Sequence, residues 1–171
     1  AYPIHHQTTM RPYRVPSKAV ESIARAAWQD TERLGLYVHI PFCATRCRYC
    51  EYSVVEKSDQ QTQDTYLRAL LREFALYRER LQTPKKTLIG FDIGGGTPAF
   101  VQPDFIRQIL QAAQQSFVFR RGIKISIETT PVIAQREPAK MRALKEMGID
   151  RISMGVQTTH LTLARALGRE Y

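Results

Sequence analysis

Two hydrophobic periods alternate along most of the chain. Short segments in which every second residue is apolar predict strands at 36–40, 87–95, 123–130 and 151–157. Longer segments with apolar residues three and four positions apart predict helices at 64–81, 103–116, 138–147 and 159–167. Because each strand is followed by a helix, the pattern predicts an α/β fold with four strand-helix units around a parallel sheet.

Each predicted strand has one set of alternate residues that is apolar and a second set that is polar or small. The apolar sets are Leu36, Val38 and Ile40; Ile89, Phe91 and Ile93; Ile123, Ile125 and Ile127; and Ile152, Met154 and Val156. A parallel strand buried on both faces is usually apolar throughout. We therefore expect helices on one face and a polar, concave, ligand-binding face on the other. Ligands of such sheets bind at the carboxyl ends of the strands, where Glu128 and Gln157 belong to the polar sets.

The first 33 residues do not share this pattern. They are polar and contain proline up to residue 16, after which Ser17 would cap a short helix through Ala27. We therefore divide the chain into an N-terminal extension, residues 1–33, and one domain, residues 34–171. The chain begins without Met and stops at Tyr171 without a tail, as expected for a piece of a longer protein. Removal of an initiator Met before Ala1 is an alternative explanation of its start.

Composition adds expectations about location and partners. The sequence has no run of about 18 apolar residues and no apolar signal core, which predicts a cytoplasmic protein without a membrane span. The net charge of +9 suits an anionic partner, but the Lys and Arg residues are spread along the chain, which favours a solvated basic surface. No RNA-binding motif accompanies the charge, so nucleic-acid modification is the weakest function considered.

All three cysteines, Cys43, Cys47 and Cys50, directly follow the first predicted strand. Structural zinc needs four ligands, and His39, the candidate for the fourth, would point into the sheet below the loop. A redox dithiol at Cys47 and Cys50 would leave Cys43 without a role. An iron-sulfur cube held by three thiolates fits better, because one iron stays open for a substrate or cofactor. Arg46 and Arg48 would offset the negative charge of the thiolates or face solvent.

Five motifs together carry a resemblance to a known family. They are YVHIPFC-x3-C-x-Y-C (37–50), GGGTP (94–98), IE-x-x-P (127–131), RISMGVQ (151–157) and LGR (167–169). In this order, from about residue 34 to the last residue, the chain resembles the radical S-adenosylmethionine enzymes, specifically the group related to oxygen-independent coproporphyrinogen III oxidase. The resemblance implies a partial TIM barrel of six strand-helix units, of which residues 34–171 supply four. Such a truncated barrel would expose one sheet edge and part of its polar face.

The resemblance also implies roles for matching residues. Cys43, Cys47 and Cys50 would bind a [4Fe-4S] cluster. The remaining roles concern S-adenosylmethionine: Tyr37 would approach its methionine part, Tyr49 its adenine, Gly95, Gly96 and Thr97 its amino group, and Glu128, Gln157 and Arg169 its ribose and carboxylate. The alternatives without a binding role are a tight turn at Gly94–Gly96 and a structural ion pair between Glu128 and Lys124.

The implied chemistry is reductive cleavage of S-adenosylmethionine to a 5′-deoxyadenosyl radical, with flavodoxin or ferredoxin as electron donor. The small-molecule substrate would be a tetrapyrrole in haem metabolism. True coproporphyrinogen enzymes have Cys-Gly-Cys where this chain has Cys50-Glu51-Tyr52, which favours the haem-chaperone branch. A haem-binding chaperone with little turnover and a related C-methyltransferase are therefore the alternatives. Haem is a further candidate cofactor, with His5, His6 and His39 as conceivable ligands.

Overall fold

The structure is a computed structural model that describes residues 16–169. The chain divides into two compact units, the first ending at Thr31 and the second beginning at Glu32. The described part of the first unit is helix α1 (Ser17–Gln29). This helix begins at Ser17 itself, so the prediction that Ser17 caps it is wrong, and Pro16 occupies the cap position. His5 and His6, the N-terminal candidates for haem ligands, lie outside the described residues.

Strands and helices alternate through the second unit. The strands are β1 (Arg33–Ile40), β2 (Phe42–Cys43), β3 (Val55–Glu56), β4 (Thr87–Gly95), β5 (Val118–Phe119), β6 (Ile125–Thr129) and β7 (Arg151–Met154). The helices are α2 (Gln60–Leu81), α3 (Pro103–Ser116), α4 (Pro131–Arg136), α5 (Pro138–Glu146) and α6 (Leu161–Ala166). Two short 3₁₀ turns, Thr83–Lys85 and Pro98–Phe100, flank β4.

The main sheet has the strand order β1-β4-β6-β7, and every pair in it is parallel. The short strand β5 pairs with the first residues of β4, and β2 and β3 form a separate parallel pair beside the cysteines. Since each main strand is followed by at least one helix, the predicted α/β arrangement of four strand-helix units is confirmed. The carboxyl ends of all four strands consequently lie at the same edge of the sheet.

Helix α2 begins four residues before its predicted start. Asp59 caps it, because the Asp59 carboxylate accepts a hydrogen bond of 2.8 Å from the backbone N–H of Thr62. This hydrogen bond holds the pKa of Asp59 below its usual value. The hydrophobic spacing shows only where a helix is buried, so it missed this exposed, polar first turn.

The core lies between the sheet and the helices that cover one of its faces. Its completely or almost completely buried side chains include Ile40, Leu88, Phe91, Ile93 and Ile127 from the strands and Ile106, Ile109 and Leu144 from the helices. The opposite face of the sheet is polar, as predicted. Alternate residues of β4 show the contrast, because Phe91 and Ile93 are buried whereas Asp92 is exposed.

Two details of the predicted core are wrong. Ile89 is 40% exposed, and Leu88 is buried in its place. The pairing of Leu34 with Leu88 and of Gly35 with Gly90 leaves Ile89 as one extra residue in β4, and this bulge shifts the alternation of its side chains. An alternating pattern alone cannot show such a shift.

The second error concerns β7. This strand ends at Met154, three residues before the predicted end, and Ile152 and Met154 are 44% and 40% exposed. Within the described residues, β7 pairs with β6 alone. Helix α6 is six residues long, and Ala164 is its one buried residue. These apolar side chains therefore lack the helical cover that the pattern predicts.

Across residues 16–169, no helix has both the length and the apolar character needed to cross a bilayer.

Candidate functional site

Backbone hydrogen bonds join the cysteine segment to the glycine-rich segment at the carboxyl ends of β1 and β4. Gly96 donates its N–H to the carbonyl of Ile40 at 2.9 Å, and Thr97 donates to the carbonyl of Phe42 at the same distance. The Thr97 hydroxyl lies 3.3 Å from the Cys43 sulfur. Two motifs separated by about 50 positions in the sequence thus form one continuous surface.

Glycine is required where these segments meet. A Cβ atom at Gly96 would lie 2.7 Å from the carbonyl oxygen of Pro41 and 2.8 Å from the sulfur of Cys43. Gly95 has a φ of +127°, and a Cβ there would lie 2.6 Å from the carbonyl oxygen of Ile40. All three contacts are shorter than van der Waals distances, so any side chain would push the two segments apart. The Gly94–Gly96 segment is therefore more than a tight turn.

The cysteine loop brings three free thiols together. Cys43 is buried, and Cys47 and Cys50 are half-buried. A turn connects the last two, since the N–H of Cys50 donates to the carbonyl of Cys47 at 3.0 Å, and Arg46 donates to the carbonyl of Cys50 at 3.1 Å. Burial raises the pKa of the Cys43 thiol, the hydrogen bond with Thr97 opposes this, and the charges of Cys50 and Cys47 raise it further.

The donor set consists of three thiols on one loop. Within residues 16–169, no three side chains among His, Cys, Asp and Glu converge on one ion position. A cube needs its thiolates at separate corners, which three cysteines along one loop supply. His39 does not complete a zinc site, because both of its ring nitrogens have other partners.

Those partners also define the tautomer of His39. Its Nε2 atom lies 3.2 Å from the carbonyl oxygen of Ser53, which can only accept, so Nε2 carries the proton. Nδ1 then accepts from the Tyr37 hydroxyl at 3.3 Å. His39 therefore connects Tyr37 to the segment after the last cysteine. The sequence predicted only a candidate zinc or haem ligand at this position. His39 and Tyr37 belong to the same alternate set of β1, and this shared face could have indicated their contact.

Tyr37 and Glu128 meet over Gly94. A Cβ at Gly94 would lie 2.8 Å from the Tyr37 ring and 3.1 Å from a carboxylate oxygen of Glu128. The other Glu128 oxygen accepts a hydrogen bond of 3.1 Å from the N–H of Gly95. Lys124, the alternative partner of Glu128, lies 3.7 Å from Asp150. The alternative Glu128–Lys124 pair is therefore not formed.

Tyr49, Gln157 and Arg169 form a second group. The guanidinium of Arg169 donates to the Tyr49 hydroxyl at 2.8 Å, and its central carbon lies 5.7 Å from the centre of the Tyr49 ring. A Cβ at Gly155 would contact both Arg169 and Gln157, at 2.9 Å and 3.0 Å. Burial raises the pKa of Tyr49, and the hydrogen bond from Arg169 opposes that rise.

The second group is attached to the cysteine loop. The N–H of Arg48 donates to the carbonyl of Leu167 at 3.1 Å. Gly168, with a φ of +73°, lies against the backbone of Arg48 and Cys47. The structure thus places all eleven predicted site residues at one edge of the sheet in two groups. The glycine side consists of Tyr37, Gly95, Gly96, Thr97, Glu128 and Cys43, and the arginine side consists of Tyr49, Gln157, Arg169, Cys47 and Cys50.

Comparison with known proteins gives consistent matches. The model of the Radical SAM superfamily matches residues 37–171. An oxygen-independent coproporphyrinogen III oxidase from Helicobacter pylori is 34% identical over 137 residues, covering 80% of this chain and 29% of that protein. A protein named heme chaperone HemW from Haemophilus influenzae is 34% identical over 139 residues, covering 80% of this chain and 36% of the relative.

A solved structure is also similar. The radical SAM enzyme coproporphyrinogen III oxidase (HemN) from Escherichia coli superimposes with a TM-score of 0.78 and 30% identity, covering 92% of this chain and 35% of HemN. This match confirms the α/β fold of a partial TIM barrel. The chain spans only about a third of the length of these relatives.

Proposed function

Because this chain belongs to the radical SAM superfamily, we propose that it binds a [4Fe-4S] cluster and S-adenosylmethionine, cleaves the latter reductively, and acts on a tetrapyrrole. Cleavage of S-adenosylmethionine is general to the family, and relatives of both named kinds belong to tetrapyrrole metabolism. One observation carries the proposal. The buried Cys43 thiol lies directly against the Gly96–Thr97 segment, so a cluster and a cofactor held by these elements would be in contact.

Cys43, Cys47 and Cys50 would hold the cluster. When bound, the cluster and S-adenosylmethionine supply reductive cleavage of a carbon-sulfur bond and, from it, hydrogen abstraction from a substrate. The Thr97 hydroxyl, 3.3 Å from the Cys43 sulfur, would donate a hydrogen bond to the thiolate and offset the cost of burying its charge. Burial of Cys43 against the core also keeps water from this corner of the site.

The glycine side would hold the methionine part of the cofactor. The Glu128 carboxylate already accepts one hydrogen bond from Gly95 and has further lone pairs for an ammonium or hydroxyl group. Tyr37 packs beside it, and His39 restrains the Tyr37 hydroxyl. The absence of side chains at Gly95 and Gly96 lets their backbone pack directly against the cysteine segment, which would hold the cofactor next to the cluster.

The arginine side would hold the remaining polar groups and the adenine. Tyr49 is 42% exposed and offers a ring face on which a base can stack. Arg169 orients this ring through its hydrogen bond and contributes a cation suited to a carboxylate. Gln157 approaches the same guanidinium beside Gly155 and supplies an amide to the group.

An external one-electron donor is part of the proposal, and we expect flavodoxin or ferredoxin. Arg46 and Arg48 are exposed on either side of Cys47. A donor with an acidic surface would be attracted to these cations, and its rate of association should fall as salt screens them.

The test is anaerobic reconstitution of the chain, followed by addition of dithionite and S-adenosylmethionine. We expect about four irons per chain and release of 5′-deoxyadenosine, and Cys47→Ala should lose both. Thr45→Ala, an exposed change in the same loop, is the matched control and should retain both. A Cys47→Ala variant with full iron content would contradict the ligand assignment. A loaded chain that releases no 5′-deoxyadenosine would contradict the cleavage activity.

A haem chaperone is the second candidate. The similarity to HemW and the Cys50-Glu51-Tyr52 sequence favour it. His39 is a poor haem ligand in this arrangement because both of its nitrogens are hydrogen-bonded. Stoichiometric haem binding without release of 5′-deoxyadenosine would favour the chaperone over the enzyme and over a C-methyltransferase.

A further inference from the structure

An ion pair occupies the polar face of the sheet below the predicted cofactor site. The guanidinium Nη2 of Arg151 in β7 lies 2.8 Å from the carboxylate of Asp92 in β4. The same nitrogen donates to the Ser126 hydroxyl of β6 at 3.3 Å, and this hydroxyl also bonds to Asp92. The register pairs Asp92 with Ser126 and Ser126 with Arg151. The three side chains therefore form one polar row across three strands.

The row lies close to the site but is separate from it. Asp92 precedes Gly94 by two residues, and Ser126 precedes Glu128 by two, a separation of roughly 6–7 Å along a strand. The register also places Tyr37 beside Asp92. A substrate that reaches the rim from the concave side would meet this row.

There is open space beside the row. Gly35 and Gly90 are paired across β1 and β4, and a Cβ built at either position meets no atom within 4 Å. Gly90 is two residues before Asp92, in the same alternate set of β4. The polar face is thus bare next to the ion pair, whereas at Gly94 to Gly96 it is filled.

The ion pair can accept a second carboxylate without leaving a charge unpartnered. Asp92 has the Ser126 hydroxyl as another donor, so it does not depend on Arg151. The described contacts of Arg151 use Nη2, which leaves Nη1 and Nε for a ligand. The Arg151 and Asp92 side chains are 63% and 53% exposed, and an ion pair this exposed contributes little stability. Rearrangement around a ligand therefore costs little.

We propose that Arg151 is a substrate-binding residue that takes a carboxylate arm of the substrate on the concave face, with Asp92 and Ser126 positioning it. This inference rests on the proposed function and specifies its substrate class as a small molecule with carboxylate side arms. Nη1 or Nε would donate a charge-assisted hydrogen bond to the carboxylate, and such a bond adds both affinity and direction. The arm would anchor the substrate below the cofactor and present its reacting carbon at the rim.

The test measures binding of coproporphyrin III, a fluorescent tetracarboxylate, to the reconstituted full chain without reductant. Arg151→Gln should weaken binding on the order of tenfold or more, because a charge-assisted hydrogen bond is lost. Arg107→Gln is the matched control: it removes a similarly exposed Arg–Asp pair on α3 and should change nothing. The tetramethyl ester of the porphyrin should bind wild type and Arg151→Gln alike.

Asp92→Asn is a second, independent test if Arg151→Gln folds poorly. It removes the competing charge, while the amide oxygen can still accept from Arg151 and Ser126 and so keep Arg151 in position. Binding should therefore be unchanged or tighter, and weaker binding would overturn the proposal. Equal affinity of wild type and Arg151→Gln, or no saturable binding by wild type, would also overturn it. Release of 5′-deoxyadenosine is measured separately from porphyrin binding. A negative porphyrin result therefore contradicts only the Arg151 proposal, and a negative cleavage result contradicts only the proposed cleavage activity.

Discussion

The glycine side and the arginine side of the site are built in different ways. On the glycine side, backbone hydrogen bonds join adjacent segments, and Cys43 is only 7% exposed. On the arginine side, a side-chain hydrogen bond joins Arg169 to Tyr49 across 120 positions, a single backbone bond joins Arg48 to Leu167, and Tyr49 is 42% exposed. The first is part of the folded core, and the second is added to its surface. Changes on the glycine side should therefore lower stability, whereas changes on the arginine side should affect mainly ligand binding.

Gly96→Ala should give the largest effect. The added methyl group would meet the Pro41 carbonyl and the Cys43 sulfur, so we expect a loss of about 1–3 kcal/mol in the free energy of unfolding. The displaced thiol should also lower iron content. Urea denaturation and iron analysis measure the two effects. Gly90→Ala, in the preceding strand with open space around it, is the control and should cost less than about 0.5 kcal/mol.

Lys140→Met should have the second-largest effect on stability. It tests whether the contact of Lys140 with Ala99 stabilises the segment that follows Thr97. The Lys140 ammonium is buried, donates to the Ala99 carbonyl at 3.1 Å and pairs with Glu137 at 2.7 Å. Its removal leaves that buried carbonyl without its donor, which costs about 1–3 kcal/mol. Lys124→Met removes an exposed pair of 3.7 Å and should fall within about 0.5 kcal/mol of wild type. Equal stabilities of the two variants would show that the buried contact adds nothing.

Arg169→Gln should have the smallest effect on stability and a larger one on binding. Its contacts are exposed, so we expect a change below about 1 kcal/mol in unfolding. Loss of the cation should weaken S-adenosylmethionine binding on the order of tenfold, measured by calorimetry on the iron-loaded chain. Arg165→Gln, on the neighbouring helix, is the control. A large drop in the stability of Arg169→Gln with unchanged affinity for S-adenosylmethionine would contradict the assignment of the arginine side to ligand binding.

The sequence was most informative where function depends on local order. Three cysteines in one loop, a glycine-rich segment after a strand and a carboxylate at the end of another strand are all visible without coordinates. The alternation of strands and helices located the main elements to within a few residues because burial imposes its period on the side chains. The bulge at Ile89 and the exposed face of β7 were missed. Both depend on neighbouring strands and on the helices that cover them.

The sequence by itself therefore determined the order of the elements, the cysteine loop and the positions that need glycine. Only the tertiary structure decided that Arg169 reaches Tyr49, that His39 uses both of its nitrogens, and that Asp92 and Arg151 form a pair. The physical reason is distance along the chain. Periodicity reports which face a residue occupies, but contacts between remote residues depend on strand register, and register is set only when the whole sheet has formed.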